Sequence, residues 1–511
     1  MEEAAADRVA DNRWLMKNRF LILIGLCVAG IAATQAQTIY EAASQSAQDL
    51  GGTARFLGSG GAFNAIGGEV STISYNPAGL AVYASDELTA TVNIQWANSR
   101  FEQQQRMGWP TATLANAAYI KTFKTDRERG LVSWNIAFSY NAVYTQKRRA
   151  SYAGNTTRSF ADFLAAYSEG LDETMMNYEE EDAGWASVLA YDAGLIVPNG
   201  ASSWKSGAPE DESANNFYYE ENGHNNEFAI SFGTNFNHQW YAGLSLAGNY
   251  LNYALYSQYS EQYSDRTFIN ERTYNANGVG FTCKLGLLYK PVKWIRLGLA
   301  FHTPGLYVNK DKASTCYKSD LYWYGSPGYD TFYRYRLRTP LRASASLGIH
   351  LGKYGIFGLE YQFSNTQNIR IGHHSTDAIN VKINRYLLDQ HTVRAGLEIK
   401  PFTWFALRAG AGYTSPFTGK YPQDALQYND TDTEIGYYHD YGSYFVSAGF
   451  GFKFNIQYID FAYIYQANRG EYHPYNAHYS GVGGGELNIG DVCLPFRSVR
   501  NQIVFTYGLK F

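Results

Sequence analysis

From residue 87 onward, apolar and polar side chains alternate one by one in short runs. Leu88 to Trp96 is the first, and Ser133 to Tyr140 repeats it. The pattern returns at Phe228 to Phe236, Val279 to Tyr289, Ile295 to Phe301, Phe357 to Phe363, Phe405 to Tyr413 and Ile459 to Tyr465. Successive side chains of a strand point to opposite faces, so each run predicts a strand with one oily face and one small or polar face. The links between runs fall into two kinds. Tight ones lie at Lys124 to Gly130, Asn237 to Gln239, Lys290 to Lys293, Gly352 to Tyr354, Lys400 to Thr403 and near Asn455-Ile456. Long polar ones lie at Arg149 to Asn225, Gln258 to Asn275, Lys310 to Tyr335, Ser364 to Gln390, Pro416 to His439 and Ala467 to Arg497. Short turns at one end and long loops at the other are the periplasmic and extracellular ends of a membrane barrel. The reading is all-β: a transmembrane antiparallel β-barrel of about 14 strands, an even number, with both chain ends on the periplasmic side.

Composition sharpens this picture. With 44 Tyr and 16% aromatic residues in 511, the chain carries what the interfacial girdles of a barrel need. Mean hydropathy is −0.35, and the one long apolar run is Phe20 to Ala33. Lys17 and Arg19 precede it and Thr34-Gln35-Ala36 follow, which describes a signal peptide too short to span a bilayer. Residues 1–36 are therefore read as leader and signal peptide, cut after Ala36. Met16 is the expected start, because Met1 to Leu15 places acidic residues where a signal peptide has none. Cleavage there leaves 42 acidic against 38 basic residues, so nothing favours a nucleic-acid partner. The remaining cysteines, Cys283, Cys316 and Cys493, fit no zinc spacing, and their odd number leaves one thiol without an intramolecular partner. Cys316 and Cys493 both fall in long loops, and a disulfide between them is the testable pairing. The final run places Ile503, Phe505, Tyr507, Leu509 and Phe511 on one face, like the closing strand read by the barrel-assembly machinery.

Residues 37–86 lack alternation and are read as an N-terminal hatch inside a barrel spanning 87–511, whose largest loop is 149–225. Gly58 to Phe63 carries Gly-x-Gly, yet no strand leads into it and Phe63 stands where a nucleotide loop needs a third glycine. Small residues suit a segment threaded through a crowded lumen. Arg55 with Gly60-Gly61-Ala62-Phe63, followed by Asn76-Pro77-Ala78, resembles the hatch of the FadL/TodX family of fatty acid and hydrocarbon transporters. Phe301 to Pro304, Leu407 to Gly410 and Asp460 to Tyr463 extend the resemblance over nearly the whole mature chain, in a style most like members from Bacteroidetes. The resemblance implies a fourteen-stranded barrel, a hatch gated at Arg55, Gly60, Gly61, Asn76, Pro77 and Ala78, and a sideways exit at a kink in the third strand. Here the matching strand, Leu131 to Tyr144, contains neither Gly nor Pro.

Strand parity turns Arg296, His302, Arg342, His350, Glu360, Arg394, Glu398, Arg408, Lys453 and Asp460 inward. Most charges in a barrel lumen pair with one another or with a plug. Arg342, Arg394 and Arg408 are the candidate anchors for an acidic headgroup, since the planar guanidinium fork matches a carboxylate. His302 and His350, with Ser344 and Ser346, do not make a lipid hydrolase, whose catalytic groups would have to face outward. His373-His374 and Glu179 to Asp182 read as solvated loop residues, so no metal site, catalytic residue or cofactor is expected. In the largest loop Ser159 caps a helix with Phe160, Phe163, Leu164 and Tyr167 on one face, ended by Gly170. A second helix groups Trp185, Val188 and Leu189. These oily faces either close the barrel mouth or offer a landing groove for apolar substrate.

The expected function is passive uptake of hydrophobic small molecules, fatty acids or hydrocarbons, across an outer membrane whose lipopolysaccharide excludes greasy solutes. Membrane lipid and lipopolysaccharide are the expected surroundings. The competing reading is a partner or cargo escort in type IX secretion, a role some FadL-like barrels fill.

Overall fold

The computed structural model describes residues 38–101, 104–177, 183–320, 329–372, 378–420, 434–481, 483–490 and 492–511. The expected signal peptide, Glu179 to Asp182 and His373-His374 lie outside the described residues. The wall consists of β1 (Glu87–Phe101), β2 (Thr111–Lys124), β3 (Leu131–Thr156), β4 (Ser213–Phe236), β5 (Trp240–Gln262) and β6 (Thr267–Val292). It continues with β7 (Ile295–His302, then Leu306–Ser319), β8 (Tyr329–Arg338, then Arg342–His350), β9 (Gly355–Ser364) and β10 (Gln390–Phe402). β11 (Phe405–Thr414), β12 (Tyr437–Phe454), β13 (Gln457–His473) and β14 (Leu494–Lys510) complete it. Every neighbouring pair is antiparallel, and β14 returns to β1 in unbroken register from Glu87↔Lys510 to Phe101↔Phe496. The chain is thus a closed fourteen-stranded barrel.

Outward positions are oily. Leu88, Val92, Phe138, Phe228, Ile230, Phe281, Leu299, Leu407, Ile503 and Phe505 are all exposed in this way. No helix among the described residues is long and apolar enough to cross a membrane; the crossing is made by strands. Where the short turns lie, aromatic rings cluster: Phe123 stacks on Trp134 at 4.0 Å, Trp240 on Tyr289 at 4.1 Å, and Phe402 on Trp404 at 5.4 Å. Such a belt marks the periplasmic membrane boundary of an outer-membrane barrel. The turn at Asn237-His238 takes positive φ at both residues, the primed geometry that suits a two-residue hairpin.

The loops are shorter than the polar links suggested. β3, β4, β5 and β6 rise as long hairpins, so the link expected over 258–275 is a four-residue turn, 263–266, on paired strands. Above them residues 157–177 and 183–212 form a cap with α-helices Phe160–Ser168 and Trp185–Asp192. Ser159 and Asp162 make a capping box at the first helix, and Gly170, at φ +92°, follows it. An epitope inserted near Asp211 should be labelled on intact cells, whereas one in the Lys400 to Thr403 turn should stay dark. Surface labelling of that turn would invert the orientation.

Candidate functional site: a plugged lumen below an aromatic chamber

Residues 38–86 fold as three short helices, α1 (Ile39–Ser46), α2 (Ala54–Gly58) and α3 (Thr72–Tyr75), and a 3-10 turn at Pro77–Val82. They lie against inward residues of strands on every side of the lumen. α1 starts with a capping box in which the Thr38 hydroxyl and Glu41 carboxylate bond each other's end of the turn. Arg55 donates to both oxygens of Glu398 on β10, at 2.9 and 3.1 Å. Arg408 on β11 donates to the same carboxylate at 2.7 Å and to Asp460 on β13 at 2.6 Å. Asn76 caps the 3-10 turn by accepting from Ala78 N–H at 3.1 Å, with Pro77 fixed at its first position, where its missing N–H costs nothing. Lys284 and His302 reach the carbonyls of Ser74 and Tyr75 at 3.0 and 2.8 Å. His302 thereby serves the hatch.

The wall accommodates this plug by removing side chains. Gly233, Gly243 and Gly286 are register partners across β4, β5 and β6. Gly348, Gly358, Gly396 and Gly410 form a second such row across β8 to β11. A Cβ at Gly243 would overlap Pro77, at Gly358 the Ala62 carbonyl, at Gly396 the Ser59 carbonyl and at Gly410 the Gly60 backbone. Gly60 and Gly61 themselves hold φ of +65° and +68°, a region open to glycine at no steric cost. The hatch is seated backbone against backbone.

Its lower part carries an unusual acid. Glu69 is buried and accepts from the Thr53 hydroxyl, Ser71 N–H at 3.0 Å and the Ser71 hydroxyl at 3.3 Å. Burial pushes its carboxyl from the ordinary range up to about 7. A carboxyl whose folded pKa is raised contributes stability in full below its unfolded value, and loses it as pH climbs to about 7. The thermal midpoint of the purified barrel should therefore fall between pH 5 and pH 8. Glu69→Gln should flatten that slope; an unchanged slope in the variant would assign the effect elsewhere.

Above α1 lies a small chamber of about 70 Å³, walled by Phe101, Tyr219, Tyr253, Tyr438, Tyr472 and Phe496. Phe217 stacks on Tyr472 at 4.5 Å behind this wall. Its charges are matched internally. Arg148 pairs with Glu221 and lies over the Tyr219 and Phe496 rings at 5.4 and 5.5 Å. Arg272 bonds Glu41 of α1 and Glu434, both at 2.8 Å. Beneath it a polar cavity of about 200 Å³ runs along hatch residues 43–50, past Arg342, Arg394, Gln146 and Tyr144. Of the three arginines expected to hold a headgroup, Arg394 is bound to Glu360 at 2.9 Å and Arg408 to two carboxylates. Arg342 has no carboxylate partner among the described residues; it donates to the Ser46 carbonyl of α1 at 2.6 Å.

The polar cavity ends at a defect in the wall. β2 and β3 are paired only from Asn116↔Asn141 to Lys124↔Ser133, and β3 then rises to Thr156 with pairing on its β4 side alone among the described residues. Between Ala142 and Tyr144 its register breaks, although no Gly or Pro is present. The hatch covers this seam. Asp49 N–H donates to the Val143 carbonyl at 3.0 Å, and the Asp49 carboxylate accepts from Thr145 N–H at 3.2 Å and Arg500 at 2.6 Å. A Cβ at Gly51 would come within 2.7 Å of the Ala142 carbonyl.

The extracellular helices close the mouth. Phe160, Phe163 and Leu164 are wholly buried in the cap core, with Tyr167 packed on its edge; Trp185, at the start of the second helix, is half-buried. The Glu261 carboxylate at the top of β5 accepts from the Ser159 hydroxyl at 2.5 Å and from the Phe160 N–H at 3.0 Å. A landing groove on this face therefore requires the cap to open. Cys316 and Cys493 are not joined in a disulfide, which removes that pairing.

Sequence reasoning missed Glu41, Asp49, Arg148 and Arg272. Thr38-x-x-Glu41 was legible as a capping box, whereas the other three show their role only once strand register is known.

Compared by sequence, the chain matches no family model and no curated protein. Compared by structure, it resembles a FadL homologue of Pseudomonas aeruginosa, with 12% identity, a TM-score of 0.54, and 91% of this chain and 99% of that one covered. It also resembles the toluene transporter TodX of Pseudomonas putida, again with 12% identity, at a TM-score of 0.50 over 91% and 100% of the chains. At this identity the likeness shows the fold alone: a barrel with an N-terminal plug, shared with these two proteins.

Proposed function

We propose that this barrel is a channel for hydrophobic small molecules, which pass from an aromatic chamber to a sideways exit that the hatch controls. The carrying observation is that the ring-lined chamber and the cavity beside α1 are neighbours sharing Ser44, Arg148, Phe417 and Tyr438, and that Tyr144 of the seam lines the second. Rings offer apolar area and a polarisable face, which suits both monoaromatic hydrocarbons and acyl chains. Arg342, without a carboxylate of its own, is the group that would receive the carboxylate of a fatty acid. The plug in its present seat blocks the path, so α1 and residues 49–51 must shift when a ligand displaces the Glu41–Arg272 or Asp49–Arg500 pairs. Fold relatives that transport toluene support this reading.

Mass spectrometry of the solvent extract of the purified barrel tests it. Bound apolar small molecules, of which the acidic ones are lost in Arg342→Met, are the expected result. A stoichiometric protein partner with no bound apolar molecule would instead favour an escort role.

A further inference from the structure

Outside the lumen, at the extracellular end of the wall, one group of side chains takes no part in the path described above. Glu471 and His473 stand two residues apart on the outward face of β13. β13 and β14 pair as far as Tyr472↔Leu494, so the register carried one step further sets His473 opposite Cys493. The Glu471 carboxylate, a ring nitrogen of His473 and the Cys493 sulfur all lie within 4.8 Å of one another. On the other side, His439 of β12 is the register partner of Glu471, and Tyr437 that of His473. The Tyr437 and His473 rings stack at 4.2 Å, which fixes the imidazole plane.

We propose that Cys493, His473 and Glu471 form a transition-metal site of the zinc class, with His439 adjacent as the source of a fourth ligand. Two alternate positions on one strand and a third across the ladder converge on one point, because directly opposed Cβ atoms lie about 4.5–5.5 Å apart. A tetrahedral zinc holds sulfur at about 2.3 Å and nitrogen or oxygen at about 2.0–2.2 Å. The donor set also selects the metal: a thiolate with an imidazole favours zinc or similarly soft ions, while calcium and magnesium take oxygen ligands. The site lies clear of the hydrocarbon layer. A spanning strand needs about 9–11 residues, which β13 completes from Gln457 to about Ala467, below Glu471.

The position gives the site a task. The described residues between His473 and Leu494 leave the wall here and carry a hairpin, His478–Ser480 with Glu486–Asn488. Tyr479 of that hairpin packs edge-on against Phe163 of the cap at 5.4 Å, and Tyr475 and Ala477 enter the cap core. A metal bound at Cys493 and His473 ties the two ends of this segment together at its stem, and so holds the lid over the mouth.

The test uses the full-length barrel, purified in detergent and washed with chelator, in a Cys283→Ser/Cys316→Ser background. Titration with ZnCl2 should show one equivalent bound, with affinity reduced about a hundredfold or more in Cys493→Ser and in His473→Gln. CoCl2 should give a thiolate-to-metal charge-transfer band that is lost in Cys493→Ser, and zinc should protect Cys493 from maleimide. Heat-modifiability on gels shows that each variant is folded. Absence of the cobalt band from the folded parent, or zinc binding that is equal in parent and both variants, would overturn the proposal.

Discussion

Gly396→Val should leave the hatch unable to seat. The new side chain would begin with a Cβ inside the space of the Ser59 carbonyl, and that obstacle is backbone, which no rotamer change removes. Overpacking in a core ordinarily costs about 1–3 kcal/mol; here the neighbouring register glycines, Gly358 and Gly410, face Ala62 and Gly60 just as closely, so the hatch cannot slide aside. The expected phenotype is a barrel that remains heat-modifiable but whose residues 38–86 are cut by protease added from the periplasmic side. Cells carrying it should become permeable to large polar antibiotics. Gly248→Val is the control, since a Cβ there meets nothing within 4 Å. Equal behaviour of the two variants would remove the glycine row from the account.

Glu398→Gln should loosen the same plug by electrostatics. One fully buried carboxylate receives Arg55 of the hatch and Arg408 of the wall, with Lys400 at 3.1 Å. Removing one member of a buried ion pair costs about 3–5 kcal/mol, because the partner's charge is left without compensation. Arg408 keeps Asp460, so the uncompensated charge is Arg55 on the hatch. The thermal midpoint should drop sharply, and adding Arg55→Met should recover much of the loss. A double variant as unstable as the sum of the two singles would show that Arg55 and Glu398 do not act together.

Much of the wall was legible because a strand repeats every two residues and a lipid-facing barrel cannot relax that rule. β1 begins where alternation begins, at Glu87, and the tight turns fall where the sequence breaks. The long links misled at 258–275 and 310–335, because strands that rise above the membrane lose their oily face. Tyr253 to Gln262 mixes polar and aromatic residues on both faces, with Ser257 and Glu261 turned inward beside Tyr253 and Tyr259, which reads as loop until the hairpin partner is known. The Asn76-Pro77-Ala78 turn could be read locally, as a cap followed by proline. The glycine row could not: each glycine is ordinary in its own strand, and only register aligns Gly358, Gly396 and Gly410 into a seat. Register likewise gathers Glu471, His473 and Cys493, whose spacing along the chain matches no zinc pattern, and places Asp49 against Thr145. The break in β3 escaped notice for a different reason: it contains neither Gly nor Pro and lies where Asp49 bonds Val143 and Thr145.

Movement of the hatch away from that break is the central claim, and a reversible lock tests it. The Asp49 carboxylate accepts from the Thr145 N–H at 3.2 Å, so the two residues are neighbours across the seam and are the positions chosen for an engineered disulfide. In an Asp49→Cys/Thr145→Cys variant, oxidation should stop saturable uptake of labelled toluene and oleate by intact cells, and reduction should restore it to the level of Asp49→Cys alone. Uptake that continues unchanged while the cross-link is shown to be complete would contradict a path through the β3 seam.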